Sequence, residues 1–317
     1  MMPELFRIPF LNIPIVSFGL MMVIGFLCAM QLAKFLAKRS GIDPELFVNA
    51  ALLALVSGVI GARLSHVIEN IGQYTSPERG FWANLFDAVN IRSGGLTYYG
   101  GFLLAFPTLV IYAIKKKIPV RLGMDIIAPC LMIGLGFGRI GCFLNGCCYG
   151  AKCELPWAVT FPYESIPYQD QFHRGEVSPP GELVHEIDGK AMLVPRRVAM
   201  ASPTQRELVP SQRSLPLHPA QLYSSLTAFL IAALTTAFFT LPHAAGRGFA
   251  LMMMVEGLTR YLLELLRAEP SVLNVGHYHL SLSMVLGIAL MFVGGAMWFT
   301  FGRLSREKPG FPVLAPA

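Results

Sequence analysis

The chain has 317 residues, 54% of them hydrophobic and only 14% charged, with a mean hydropathy of +0.55. That balance excludes an ordinary soluble domain and points to a membrane protein with several spans. The net charge of +6 is what positive loops on one membrane face supply, and it requires no nucleic acid as partner.

The first span is expected over about Ile13–Leu36, with Lys34 in its last turn and Lys38 and Arg39 behind it. A second apolar run follows it, so it reads as a retained anchor rather than a cleaved signal peptide. The second span, about Leu46–Val67, carries Arg63 and His66 near its end. Glu69–Ser93 is polar and aromatic and reads as an outer loop. The third span begins around Gly94-Gly95-Leu96-Thr97-Tyr98-Tyr99-Gly100-Gly101 and runs to Ile114, with Lys115, Lys116, Lys117 and Arg121 behind it. A fourth starts near Ile126. Residues 151–217 are rich in proline and charge, nearly balanced in sign, and predict an extramembrane head. Leu183–Ile187 and Lys190–Val194 flank Asp188-Gly189, a favoured hairpin turn. The fifth, sixth and seventh spans are expected over about Pro219–Leu241, Gly248–Leu266 and Tyr278–Phe301. Arg303, Arg306 and Lys308 follow.

The fold class expected is therefore all-α and polytopic, with seven transmembrane helices and a small head partly of β-structure. Its organisation is a membrane body over 1–150, a head insertion over 151–217 and the rest of the body over 218–317. The basic loops place the carboxyl terminus in the cytoplasm and the amino terminus and head outside. In a bacterium the outside of the inner membrane is the periplasm.

One stretch organises the chain: Gly138-Arg139-Ile140-Gly141-Cys142-Phe143-Leu144-Asn145-Gly146-Cys147-Cys148-Tyr149-Gly150. An arginine within an apolar run costs about 2.5–3.5 kcal/mol on insertion scales. The glycines are poor helix material, but they permit close backbone approach and leave N–H groups free for an anion. Together they indicate a phosphate site at a membrane surface; a glycine-rich helix end with a snorkelling arginine is the plainer alternative.

Glu256, Arg260, Glu264 and Arg267 fall within an arc of about 80° on one face of the sixth span. Such groups must face protein or water, either as a cavity wall or as an ion-pair ladder between helices. His218-Pro219-Ala220-Gln221-Leu222-Tyr223 opens the fifth span, with proline in the first turn where a helix tolerates it. Cys142, Cys147, Cys148 and Cys153 lack the separated pairs of a zinc ribbon, and no metal is assigned to them; a disulfide or free thiols are the alternatives.

These motifs, in this order, resemble the prolipoprotein diacylglyceryl transferases of bacteria, over most of the chain except the head. The signature match is Gly138 to Gly150. Gly94-Gly95-Leu96 with Gly100-Gly101, the His218–Tyr223 element and Arg260-x3-Glu264-x2-Arg267 support it. The resemblance implies transfer of the diacylglyceryl group of phosphatidylglycerol to the lipobox cysteine of a prolipoprotein, as a thioether. Glycerol 1-phosphate leaves, and no cofactor is expected. It implies Arg139 as the phosphate-binding arginine, Arg260 as a catalytic one, and Glu264 and Arg267 as groups that position it. Glu264 is also a candidate proton acceptor. Asn145, Gly146 and Gly150 would shape the headgroup pocket. Arg63, Gly100, Gly101, His218, Gln221 and Tyr223 complete the expected substrate contacts.

Three positions depart from the family pattern. Tyr99 stands where many members carry a histidine proposed as a base, Phe18 where a tyrosine is common, and Cys142 and Cys147 at the usual asparagine and acidic positions. Tyrosine is the poorer base at neutral pH, so Tyr99 is expected to orient substrate through its hydroxyl. The competing readings are a transporter or flippase for an anionic lipid or solute, a divergent inactive paralogue, and a thiol-redox or metal protein built on the cysteines.

Overall fold

The structure, a computed structural model, describes residues 4–7, 14–75, 80–90, 95, 97–187, 189–267, 273–275 and 278–307. Gly94, Leu96, Asp188, Lys308 and the carboxyl-terminal tail, with parts of the 69–93 loop, lie outside the described residues. In chain order the helices are α1 (Ser17–Arg39), α2 (Pro44–Glu69), α3 (Ile71–Tyr74), α4 (Phe81–Val89), α5 (Tyr98–Lys115) and α6 (Val120–Asn145). Then come α7 (Ile166–His173), α8 (Arg196–Ala199), α9 (Pro203–Leu208), α10 (Ala220–Phe239), α11 (Arg247–Glu264) and α12 (Leu282–Glu307). Three antiparallel strand pairs accompany them: β1 (Glu4–Arg7) with β2 (Pro14–Val16), β3 (Val184–Ile187) with β4 (Lys190–Leu193), and β5 (Leu273–Val275) with β6 (Tyr278–Leu280).

Among the described residues, five helices are long and apolar enough to cross a membrane: α1, α2, α6, α10 and the Leu282–Leu304 part of α12. The expected third span is a shorter apolar helix, Tyr99–Lys115. The expected sixth, α11, has Arg247, Glu256, Arg260 and Glu264 along it, which lowers its apolar character. Several boundaries differ from the sequence reading. The first helix starts at Ser17 because Pro14–Val16 pairs as a strand. The third starts at Tyr98, leaving Gly95 outside it at a φ of +73°. The last starts at Leu282, after β6. The expected outer loop folds α4, a short helix with Phe81, Trp82 and Phe86 all exposed.

The chain divides into two compact units. One comprises Met1–Ala29 with Ala128–Gly310; the other is built on Met30–Ile127. The second unit rests on the packing of α2 against α5. Asp43 caps α2 by accepting from the Glu45 N–H at 3.0 Å, with Pro44 in the first turn. A Cβ on Gly61 would collide with the Gly100 carbonyl oxygen, and one on Gly101 would lie 3.0 Å from the Gly58 oxygen. Small residues thus let two apolar helices approach to backbone contact, where dispersion and close packing hold them.

In the first unit, Ala128 and Met132 of α6 pack with Ile231 and Ala232 of α10 and Met252 of α11. Gly136 faces the ring of Phe229, and Ser225 donates to the Gly136 carbonyl at 2.9 Å. The α11–α12 seam is equally tight: a Cβ on Gly257 would lie 2.5 Å from the Gly287 oxygen, and one on Gly294 2.9 Å from the Ala250 oxygen. Residues 151–217, the expected head, belong to this unit and hold a core of Tyr163, Tyr168, Leu183, Val194, Ala199 and Val209. Its hairpin pairs Val184 with Leu193 and Ile187 with Lys190 as the sequence predicts. Leu183 and Val194 lie just beyond the strands, in the core, joined by a Val194 N–H to Leu183 carbonyl bond of 2.9 Å.

Candidate functional site

The site grows from the end of α6. There the helix stops on Gly146, whose φ of +81° is the left-handed conformation that closes a helix. The N–H groups of Gly146 and Cys147 both return to the Cys142 carbonyl, at 2.9 and 3.1 Å. Upstream, Gly138 and Gly141 face α1: Cβ atoms there would meet Met22 at 3.6 Å and Phe18 at 3.0 Å. The signature glycines of the helix are therefore packing positions, and only those after Asn145 shape the loop.

That loop is strapped between two other helices. Gly150 N–H donates to the His218 carbonyl at 3.0 Å and Ala151 N–H to the Leu266 carbonyl at 2.8 Å. His218 N–H returns to the Ala151 carbonyl at 2.9 Å. Fully buried Gln221 donates from Nε2 to the Cys147 carbonyl at 2.8 Å. The end of α6, the start of α10 and the end of α11 are joined by these four bonds. A Cβ on Gly150 would sit 2.6 Å from the His218 Cβ and 2.9 Å from two carbonyl oxygens, so only glycine fits the strap.

Between the three helices opens a cleft lined by Arg139 and Cys148, by Ser224 and Thr227 of α10, and by Glu256, Arg260, Glu264 and Arg267. Glu264 is 4% exposed; it accepts from the Ser281 hydroxyl at 2.9 Å and pairs with Arg267 at 3.6 Å. One of its oxygens is thereby held by Ser281 and the other faces Arg267. Arg260 is different: its Nε is buried with no hydrogen-bond partner among the described residues. Glu256 interacts electrostatically with both Arg260 and Arg139. Buried donors of this kind are costly unless something fills the cleft, and an anion with several oxygens would satisfy them.

Other expected site residues take different places. His218 and Tyr223 do not line the cleft: His218 Nδ1 lies 3.4 Å from the Tyr223 hydroxyl, which accepts from Trp157 Nε1 at 2.7 Å. They face the head. Asn145 and Gly146 end α6 outside the cleft lining. Arg63, Tyr99, Gly100 and Gly101 belong to the second unit. There Arg63, only 6% exposed, donates to the carbonyls of Ala88 at 2.8 Å, Asp87 at 2.6 Å and Gly95 at 3.0 Å. Two of those carbonyls close α4, where a cation is favoured by the helix dipole. Gly100 and Gly101 pack on α2, and Tyr99 is 65% exposed. Ser224, Thr227, Ser281 and Ser283 were not singled out from the sequence. Ser224 follows Gln221 by three residues on one helix face, a signal that could have found it; Ser281 and Ser283 come from a distant part of the chain and carry none.

All six cysteines are unbridged. The sulfurs of Cys142, Cys147 and Cys148 lie within 4.8 Å of one another. The thiols of Cys142 and Cys147, hydrogen-bonded to Cys148, hold its pKa well below the ordinary thiol range; Arg139 and Arg267 act in the same sense against burial. At the base of the head, burial and then the hydrogen bond to Asp170 push the Tyr149 hydroxyl up to about 12.

A family model described as prolipoprotein diacylglyceryl transferase matches residues 3–300. The phosphatidylglycerol–prolipoprotein diacylglyceryl transferase of Clostridium tetani is 26% identical over 295 residues, covering 91% of this chain and 96% of that protein. The enzyme of that name from Corynebacterium glutamicum is 27% identical over 300 residues, 94% of this chain and 82% of its own. That of Fusobacterium nucleatum is 33% identical over 210 residues, 65% and 67% of the two chains. The match runs from β1 through most of α12 and takes in every residue of the cleft: this chain belongs to the prolipoprotein diacylglyceryl transferase family.

Proposed function

We propose that the chain transfers the diacylglyceryl group of phosphatidylglycerol to the lipobox cysteine of prolipoproteins. The observation that carries this is the cleft, in which Arg139 of α6 meets Arg260 and Arg267 at the end of α11. The leaving group is a phosphate monoester, so negative charge builds on its oxygens as the carbon–oxygen bond breaks. Preorganised cations in a partly dry site stabilise such charge most. Arg139 and Arg260 grip the phosphate. Arg267, held by Glu264 and through it by Ser281, completes the cationic wall. The substrate thiolate attacks the terminal glyceryl carbon, forming the carbon–sulfur bond. The released electron pair leaves on glycerol 1-phosphate. Glu256 is the cleft carboxylate with room to accept the thiol proton. Tyr99 is retained as an orienting hydroxyl on the family resemblance alone.

The same reading extends to the membrane. With α5 and α11 counted as spans, seven helices cross the bilayer. At 18 residues each they reach about 27 Å, close to the hydrocarbon thickness of about 30 Å. The membrane body over 1–150 and 218–317 then carries the 151–217 head on the periplasmic side, in the bacterial inner membrane. The test uses purified protein, phosphatidylglycerol vesicles and a lipobox peptide. Peptide lipidation with stoichiometric glycerol 1-phosphate is expected; neither product at any lipid concentration would overturn the reading.

A further inference from the structure

The fold brings one thiol of a helix against two that lie just beyond its end. Cys142 ends the last turn but one of α6, while Cys147 and Cys148 follow the chain reversal at Gly146. Cys147 packs back on its own helix, with Sγ 3.7 Å from the Cys142 carbonyl. Cys148 adopts a φ of +60°, left-handed backbone that a side-chain-bearing residue rarely takes. Such backbone persists where the surroundings demand it, and it concentrates at functional sites. Here it turns the Cys148 thiol toward the other two and onto the wall of the cleft.

We propose that Cys142, Cys147 and Cys148 form a three-thiolate zinc site whose fourth position takes the thiol of the substrate cysteine. Zinc–sulfur bonds of about 2.3 Å in a tetrahedron set sulfurs roughly 3.8 Å apart. The three here already lie within 4.8 Å, so small side-chain rotations close the site. No fourth His, Cys, Asp or Glu ligand joins the group among the described residues. Three protein ligands with an open position are the arrangement of catalytic rather than structural zinc. Three thiolates on Zn²⁺ leave one net negative charge. Arg139 and Arg267, both acting on Cys148, offset it.

The inference rests on the transferase reading and gives its nucleophile a source of activation. Zinc deprotonates a coordinated thiol outright. The incoming thiol displaces water from the metal and gives its proton to Glu256 in the same cleft, and zinc–sulfur bonding holds the thiolate there. Its sulfur attacks the glyceryl carbon, the carbon–oxygen bond breaks with its electron pair on glycerol 1-phosphate, and the neutral thioether, a weaker ligand, departs. Nothing is oxidised or reduced.

The test starts from reduced, metal-free protein in detergent, titrated with Zn²⁺ and, for a visible signal, with Co²⁺. One equivalent of each is expected, with sulfur-to-cobalt absorption. The triple variant C142S/C147S/C148S should lose both, whereas C28S/C130S/C153S keeps them. No binding, or binding that survives the triple substitution, overturns the site. A lipobox peptide should shift the cobalt spectrum and its Cys→Ser version should not; no shift with either overturns the open position. A free thiol of reference pKa about 8.5 is only a few per cent thiolate at neutral pH, so metal removal should slow transfer by about 30-fold. Full turnover by metal-free protein sinks this proposal and leaves the transferase reading intact. Metal and peptide binding without any lipidated product does the reverse.

Discussion

Gln221, at the start of α10, hydrogen-bonds through Nε2 to the backbone carbonyl of Cys147, 74 positions earlier, at 2.8 Å. The side chain has no exposed surface, so the bond forms where water does not compete. It fixes the loop carrying Cys148 against the helix carrying Ser224 and Thr227. Substituting Gln221 by leucine leaves a buried carbonyl without its donor, which costs about 1–3 kcal/mol. We expect Gln221→Leu to lower the melting temperature in detergent and to depress transfer, while Gln221→Glu, protonated and able to donate, retains more of both. Equal melting of wild type and Gln221→Leu would show that the bond does not hold the loop.

The arginines are not equivalent to lysines at this site. A guanidinium grips two phosphate oxygens in a planar fork, whereas an ammonium is a strongly hydrated point charge. Loss of one charge contact to the transition state typically costs ~10²–10³ in turnover. Arg139→Lys should fall in that range with normal membrane levels, and Arg260→Ala should lose at least as much, since Glu256 then faces Arg139 alone. Tyr99→Phe is the contrast, with a far smaller loss if its hydroxyl only orients substrate. Single-turnover transfer at saturating lipid decides among them: near-normal rates for both arginine variants would remove the phosphate-binding role.

Gly150 and Gly134 make a paired test of the strap. Alanine at Gly150 forces a Cβ against the His218 Cβ and two carbonyl oxygens, and backbone atoms cannot yield cheaply. Overpacking of this kind costs about 1–3 kcal/mol. Gly134, on α6, has nothing within 4 Å of an added Cβ. Gly150→Ala should be destabilised and slow, and Gly134→Ala should melt within a few degrees of wild type. Indistinguishable melting curves would mean that the strap tolerates displacement.

Topology is the fourth expectation. Lys115–Lys117 and Arg303 lie beyond the ends of the third and seventh expected spans, where the positive-inside rule places the cytoplasm. Reporter fusions near Gly189 and at Ala317 should report opposite sides, periplasmic for the first and cytoplasmic for the second. The same side for both would contradict the odd number of spans.

Apolar runs, loop charges and turn residues are local properties, and the sequence by itself determined what depends on them. The long helices and the β3–β4 hairpin follow from composition and backbone freedom within a few residues. The 100° spacing alone put Glu256, Arg260, Glu264 and Arg267 on one face, and the cleft uses all four. What that face meets is a different matter. Only tertiary structure decided that Arg139 is opposite it and that Glu264 is committed to Arg267 and Ser281. The same holds for Arg63, whose guanidinium is spent on the carbonyls of Ala88, Asp87 and Gly95. It holds too for the thiols: Cys142 is separated from Cys147 by a helix end, and the spacing looks wrong for a metal until the left-handed turns at Gly146 and Cys148 fold the chain back on itself. The physical reason is range. Propensity and periodicity act within a turn or two, whereas a side chain's partner is set by which backbones approach closely enough, and that is chosen by packing across the whole chain.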